Sequence, residues 1–282
     1  MALRATTRRV MLGAVIRIDS LYVYPVKSCA GMALQRAQLT PRGLLHDREW
    51  MVVTPQGRFV TQREVAQLAL VQTALHENDL QLTAPGLPRL TVPFARHAPA
   101  ESTEVTVWGD TVLATDEGDA AASWFGEHLG RDVRLVRFDH SRPRPTDPEW
   151  SQGLQGFSSF ADGFPVLVIS RASLDDLNAR LPVALPIDRF RPNVLLAGCA
   201  PYAEDSIGAL VSGEVRLRLV KPCTRCSITT VDQATGVAQG DEPLRTLRSY
   251  RWDATMRGVK FGQNAIVESG GWLEAGALLT TE

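Results

Sequence analysis

The segment KPCTRCSITTVD at 221–232 sets Cys223 and Cys226 in a C-x-x-C arrangement, in a chain whose other cysteines are Cys29 and Cys199. Two thiols at this spacing serve three chemistries: half of a zinc site, a redox dithiol, or one reactive or metal-ligating thiolate beside a bystander. A structural zinc site needs four ligands, and neither a second C-x-x-C nor a close His pair accompanies this one. His46, His76, His97, His128 and His140 are scattered. A thioredoxin-like dithiol needs its first cysteine at a helix N-terminus, where the helix dipole favours the thiolate. SITTVD reads instead as a β-branched strand ending in a turn from Asp232 to Gly236. That leaves a thiolate at the start of a rigid strand, with Arg225 and Lys221 close enough to favour the charged form. Two inert, partly buried thiols remain the competing reading of these residues taken alone.

A second group of side chains could hold an anion. YPVKSCAG at 24–31 places Lys27 and Ser28 just after a strand, and charge-assisted bonds from such a pair can grip a phosphate. HDREW at 46–50 adds Arg48, and FRPN at 190–193 adds Arg191 and Asn193. Each of these, taken singly, is also an ordinary surface side chain. The chain has no G-x-x-x-x-G-K-[ST], no G-x-G-x-x-G after a strand and no H-E-x-x-H, so nucleotide-loop and zincin readings have no support.

The elements that must position these residues are mostly strands. IRIDSLYVYPV, LQLTAPG, PVLVIS, NVLLAG, VRLRLV and SITTV carry strand patterns. EWMVVTPQGRFVTQ reads as a hairpin about Pro55-Gln56-Gly57, and VTVWGDTVLAT as a hairpin about Gly109-Asp110. Helices are expected at DAAASWFGEHLG, capped by Asp119 and stopped by Gly130, and at SLDDLNARL, where Ser173 and Asp176 have capping-box-like spacing. Residues 139–165 are rich in Pro, Ser and Gly and form a long loop, functional or a plain linker. With 282 residues the chain suits two domains, and 44% hydrophobic with 22% charged residues marks a globular protein. A net charge of -1 argues against a nucleic-acid or membrane surface as a partner, and four cysteines are too few for a disulfide scaffold. Arg8 and Arg9 before VMLGAV faintly echo a twin-arginine signal, but the apolar run breaks at Arg17, so a basic leader and a cytoplasmic location are expected.

Taken in order, LYVYPVKSCAG, HDREWMVV, FADGFPVLVIS, FRPNVLLAG, KPCTRCSITTVDQATG, EPLRTLRSYR and FGQN resemble the MOSC proteins, in the branch of the mitochondrial amidoxime-reducing component and its bacterial relatives. The resemblance runs from about residue 17 to 276. It implies a β-rich α+β fold in which an N-terminal β domain (15–137) packs on a MOSC β-barrel domain (138–282) with peripheral helices. It also implies a molybdenum cofactor between the two.

By that resemblance Cys226 ligates molybdenum and Cys223 has no assigned role. Lys27, Ser28 and Arg48 anchor the pterin phosphate, while Arg191, Asn193, Thr224 and Arg225 contact the pterin near the metal. Asp162 is placed to orient substrate or relay protons, although an Asp in such a loop can simply cap a turn. The implied activity is reduction of N-hydroxylated small molecules such as amidoximes, hydroxylamines and N-hydroxylated bases. Electrons are expected from an external flavin or iron-sulfur reductase, because no cysteine follows Cys226. MOSC domains also end cofactor sulfurases, so a molybdenum-cofactor or sulfur carrier with persulfide on Cys226 is the alternative; the chain holds no pyridoxal-phosphate desulfurase domain. A pterin-binding module without turnover is a third reading.

Overall fold

The computed structural model describes residues 15–95, 102–151 and 153–282, so the Arg8-Arg9 leader expectation lies outside the described residues. The chain begins in a sheet that its second half completes. Strand Arg17–Val23 pairs antiparallel with Met32–Leu34 on one side and with Val194–Ala197 on the other. The hydrogen-bonded order continues through Val166–Ser170, Gly258–Ser269, Val215–Thr224, Ala209–Ser212 and Thr280–Thr281. Val166–Ser170 and Val194–Ala197 are parallel and therefore need a crossover, which carries helix α2 (Arg171–Arg180). Ile18, Leu21, Val168, Val194, Leu217 and Ala265 are buried together in the core of this sheet.

The β-rich α+β expectation holds, but the ladder does not close on itself as a barrel. After Met32–Leu34 the chain continues as Arg36–Thr40, which pairs with Gly271–Glu274 in a separate small sheet.

The other large unit is a four-stranded sheet in the order Trp50–Val53, Arg134–Phe138, Asp110–Asp116, Ser102–Val107. Beside it lies a meander of Gln72–Leu75, Asp79–Thr83 and Leu90–Pro93. Helix α1 (Asp119–Leu129) turns Ala121, Trp124 and Phe125 onto a core shared with Trp50, Leu80 and Leu135. Gly130 closes it in the left-handed conformation at φ 63, as its position after the last apolar residue implies. The start differs from expectation: Gly118 is the N-cap, and Asp119 instead pairs with Arg134 at 3.0 Å.

Helix α2 also starts earlier than Ser173. The Ser170 hydroxyl accepts the Ser173 N–H at 3.1 Å and caps it, while Asp176 faces Arg180 one turn on. The hairpin at Gly109 forms with Val107 opposite Asp110. In the other hairpin the return arm makes only an antiparallel bridge, Val53 to Phe59, while its neighbour Arg58 bridges Thr106 in parallel.

SITTV is a larger departure. Ser227–Thr230 forms one turn of 3-10 helix, followed by a two-residue strand, Val231–Asp232. The Thr229 hydroxyl donates to the Cys226 carbonyl at 2.9 Å and the Thr230 hydroxyl to the Ser227 carbonyl at 2.8 Å. Such local bonds compete with a ladder and override β propensity. The preceding strand runs on to Thr224, so the two cysteines sit at the exit of a strand rather than at the start of one.

Candidate functional site

The strand exit, the 26–28 turn, the 46–49 turn, the 160–164 segment and the 190–193 turn converge on one cleft. Lys27, Ser28, Arg48 and Asp162 line it, as do Arg191, Asn193, Thr224, Arg225 and Cys226. All nine residues that the resemblance assigned to the site thus line the same cavity, whereas Lys221 lies over Trp150 and Phe164. The lining is strongly cationic: Lys27, Arg48, Arg63, Arg191 and Arg225 face it against the one acid Asp162.

The cations are held from behind. Arg48 donates from Nη1 to both oxygens of Asp47, at 2.7 and 2.6 Å, and from Nη2 to the Arg191 carbonyl at 3.1 Å. Arg48 and Arg191 both stack on the buried Tyr24 ring, with guanidinium carbons 4.2 and 4.3 Å from its centroid. Gly31 makes room for that ring, since a Cβ there would fall 2.3 Å from a Tyr24 ring carbon. Ser28, Arg48 and Arg191 all hold positive φ, at 67, 47 and 55. Non-glycine residues rarely adopt this region, and such strain concentrates at sites where it aims a group. Gln62 braces the first of them by donating to the Ser28 carbonyl at 2.6 Å.

Some cationic groups lack a partner. Arg191 Nη1 donates to the Cys29 carbonyl at 2.6 Å, but Arg191 Nη2 and Arg225 Nε are buried without one. Burial and then repulsion from Arg48 draw the Arg191 pKa down to about 10. A buried cation in this condition is relieved by an anionic ligand. The donor set therefore fits a phosphate-bearing group with polar ring edges.

Asp162 is held as an anion. Its Oδ1 accepts Lys27 Nζ at 2.5 Å and Trp108 Nε1 at 3.1 Å, and Lys27 also donates to the Phe160 carbonyl at 2.7 Å. The Lys27 ammonium, and then the Trp108 N–H, keep the carboxyl well below the usual carboxylate range. Near neutral pH such a group orients or accepts; it carries no proton to give. Burial lowers the pKa of Lys27, only partly offset by Asp162. The long 139–165 loop is stapled here by buried Arg144, which donates to the Ser159 and Ala161 carbonyls at 3.0 and 2.5 Å and to Asp110 at 2.8 Å.

Asn193 lines the cleft differently from its neighbours. Its Oδ1 accepts the Leu167 N–H at 3.1 Å and its Nδ2 donates to the Tyr22 carbonyl at 3.2 Å, so the carboxamide ties strands together.

Cys223 and Cys226 both line the cleft, with different neighbours. Cys223 packs against the apolar cluster of Phe190 and Phe261, and its Sγ receives Arg225 Nη1 at 3.1 Å. Cys226 Sγ receives Arg63 Nη2 at 3.3 Å on the cleft side. Burial pushes Cys29 up to about 12, which leaves that thiol inert at neutral pH. Among the described residues no cluster of His, Cys, Asp and Glu has the form of a self-contained metal site.

Arg63 and Trp108 were not singled out from sequence. Arg63 carries no local signal, being one arginine in TQREV. Trp108 carries a faint one: a bulky residue just before Gly109 in a hairpin loop.

Behind Arg48, Glu49 is clamped by two histidines, with His46 Nδ1 2.7 Å from one oxygen and His140 Nε2 3.6 Å from the other. Burial raises the Glu49 pKa, but the histidine hydrogen bonds outweigh it and set the value at about 2. Its folded value lies below the unfolded one, so the stabilisation is complete above about pH 4.5 and is lost as pH falls toward 2, on the order of 3 kcal/mol in all. Glu49→Gln should therefore lose less thermal stability than the parent protein between pH 5 and 2.5. Parallel acid limbs in the two melting series would contradict this.

Comparison with known families agrees with the geometry. Residues 15–132 match the MOSC N-terminal beta barrel domain and residues 156–280 the MOSC domain. Mitochondrial amidoxime-reducing component 1 of Mus musculus is 38% identical over 86% of this chain and 74% of its own. Mitochondrial amidoxime reducing component 2 of Bos taurus is 38% identical over 86% and 75%. The Homo sapiens component 1 is 37% identical over 96% and 84%. These names overturn the cytoplasmic expectation, since the relatives are mitochondrial components. The leader on which that expectation rested lies in residues 1–14, which the structure does not describe. No helix among the described residues is long and apolar enough to cross a membrane. By both domain matches and by relatives that share more than a third of its residues, the chain belongs to the MOSC family, in the branch of the mitochondrial amidoxime-reducing components.

Proposed function

We propose that this protein is a molybdenum-cofactor-dependent reductase of N-hydroxylated compounds, acting in a mitochondrial setting with electrons from a partner reductase. The net reaction is R–NH–OH + 2 e⁻ + 2 H⁺ → R–NH₂ + H₂O. The observation that carries the reading is the convergence, on one cleft, of Cys226 with two buried guanidinium nitrogens, Arg191 Nη2 and Arg225 Nε, that have no hydrogen-bond partner. The relatives' name, a component that reduces amidoximes, supplies the substrate class and the need for a partner. A bound molybdenum cofactor supplies two-electron redox chemistry at a site that accepts oxygen from a weak N–O bond.

This chain's own residues hold and orient. Cys226 is the metal ligand, with Arg63 against its sulfur. Ser28, Arg48 and Lys27 grip the phosphate end, and Arg191, Thr224 and Arg225 meet the pterin edge. Asn193 acts by fixing the strands beneath them. Asp162, kept ionised by Lys27, accepts N–H groups of the substrate rather than donating the proton. Protons then come from water.

Molybdenum-loaded protein driven by reduced viologen should convert benzamidoxime to benzamidine with one water released per turnover. With NADH it should do so only after a flavin or iron-sulfur reductase is added. A fully loaded protein that reduces no N-hydroxylated compound, yet carries a stable persulfide at Cys226, would establish the sulfur-carrier alternative instead.

A further inference from the structure

Trp108 stands at the mouth of the cleft in a conformation that a tryptophan does not choose freely. It is the first of two loop residues between the paired Val107 and Asp110, and it holds φ 56. That loop position favours glycine, and holding a bulky residue there is strained. The indole is nonetheless 39% exposed, so it is not kept there by burial in a core. It rests on the Phe59 ring, with centroids 5.0 Å apart, and otherwise touches the site. Its Nε1 donates to Asp162 Oδ1 at 3.1 Å, and the Arg63 guanidinium, itself on Cys226 Sγ at 3.3 Å, lies 4.3 Å from its ring centroid. Lys27 and Trp108 both bond Asp162 through Oδ1, and the side chain is 60% exposed, which leaves Oδ2 as an acceptor for a ligand.

We infer that Trp108 and Asp162 form a recognition edge for a flat head group rich in N–H donors and attached to an aromatic ring, so that aryl amidoximes are preferred to alkyl ones. The inference rests on the reductase reading and adds the residue that sets its preference. The amidoxime N–H groups donate to Asp162 Oδ2, which places the head group beside Cys226, and the aryl ring stacks on the indole. Stacking of this kind raises affinity without touching the bond that breaks, so its loss falls on KM rather than on kcat.

The test compares benzamidoxime with acetamidoxime, which shares the head group and lacks the ring, on loaded Trp108→Gly protein with reduced viologen. Glycine suits the loop, so the variant keeps the hairpin. The ratio of kcat/KM for benzamidoxime over acetamidoxime should fall roughly 3–10-fold, through KM, and Trp108→Phe should restore most of it. A ratio that does not move, or a matching fall on both substrates, overturns the inference. Calorimetric binding of the products benzamidine and acetamidine gives a readout independent of turnover. If the parent protein reduces neither amidoxime, the reductase reading fails. The stacking surface then stands if Trp108→Gly removes the preference for benzamidine, and falls if that preference persists.

Discussion

Cys226→Ser is expected to lose molybdenum and to lower viologen-driven turnover by more than about 100-fold, while Cys223→Ser keeps its metal and most of its activity. The range follows from what is lost when even an indirect neighbour of a metal is removed, about 10–100-fold, which a direct ligand should exceed. The two thiols are separated by their surroundings rather than by distance along the chain. Cys223 lies within the strand, one residue from its end, and although it too borders the cleft it packs against the Phe190 and Phe261 cluster under Arg225 Nη1. Replacing it changes a packing contact and one weak hydrogen bond, an effect of about 1 kcal/mol on stability. Cys226 lies beyond the strand, where the 3-10 turn begins, and meets Arg63 across the cleft. Metal analysis of both variants beside a turnover assay decides the matter; equal losses in both would remove the assignment.

Arg48→Ala is expected to lower the melting temperature by on the order of 10 °C even in protein that has never bound a cofactor. Asp47 is buried, 5% exposed, and Arg48 makes two of its hydrogen bonds. Burial already pushes the Asp47 carboxyl up, so without the guanidinium it is an uncompensated buried acid. Breaking such a pair from one side costs about 3–5 kcal/mol. A lower melting temperature in Arg48→Ala is therefore no measure of phosphate binding by itself. Adding Asp47→Asn to Arg48→Ala removes the buried charge and should recover most of the stability. If Arg48 grips phosphate, the double variant still loads molybdenum tenfold to a hundredfold less well under cofactor-limiting expression. Full loading of the refolded double variant would show Arg48 to be a partner of Asp47 and nothing more.

A single sequence carried much of this. Alternation in Asp79–Thr83 and the unbroken apolar run of Val166–Ser170 mark strands because burial on one face or on both leaves its own pattern in the sequence. Gly130 stops α1 for a reason local to its own backbone. The ordered motifs from YPVKSCAG to KPCTRC, read by their resemblance to the MOSC proteins, named site residues that all reach one cleft. Where local forces compete, the pattern misled: SITT has β propensity, yet Thr229 and Thr230 bond their own backbone and curl the segment. Asn193 stood out by type, but only the packing of Leu167 and Tyr22 around it shows a carboxamide committed to strands. Arg63 meets Cys226 across 163 residues of chain, and Trp108 meets Asp162 across 54. Neither approach has a periodicity or spacing to read. Each exists because the N-terminal hairpin and the strand exit of the second half are brought to the same cleft, and contacts of that kind are decided by how two folded surfaces meet.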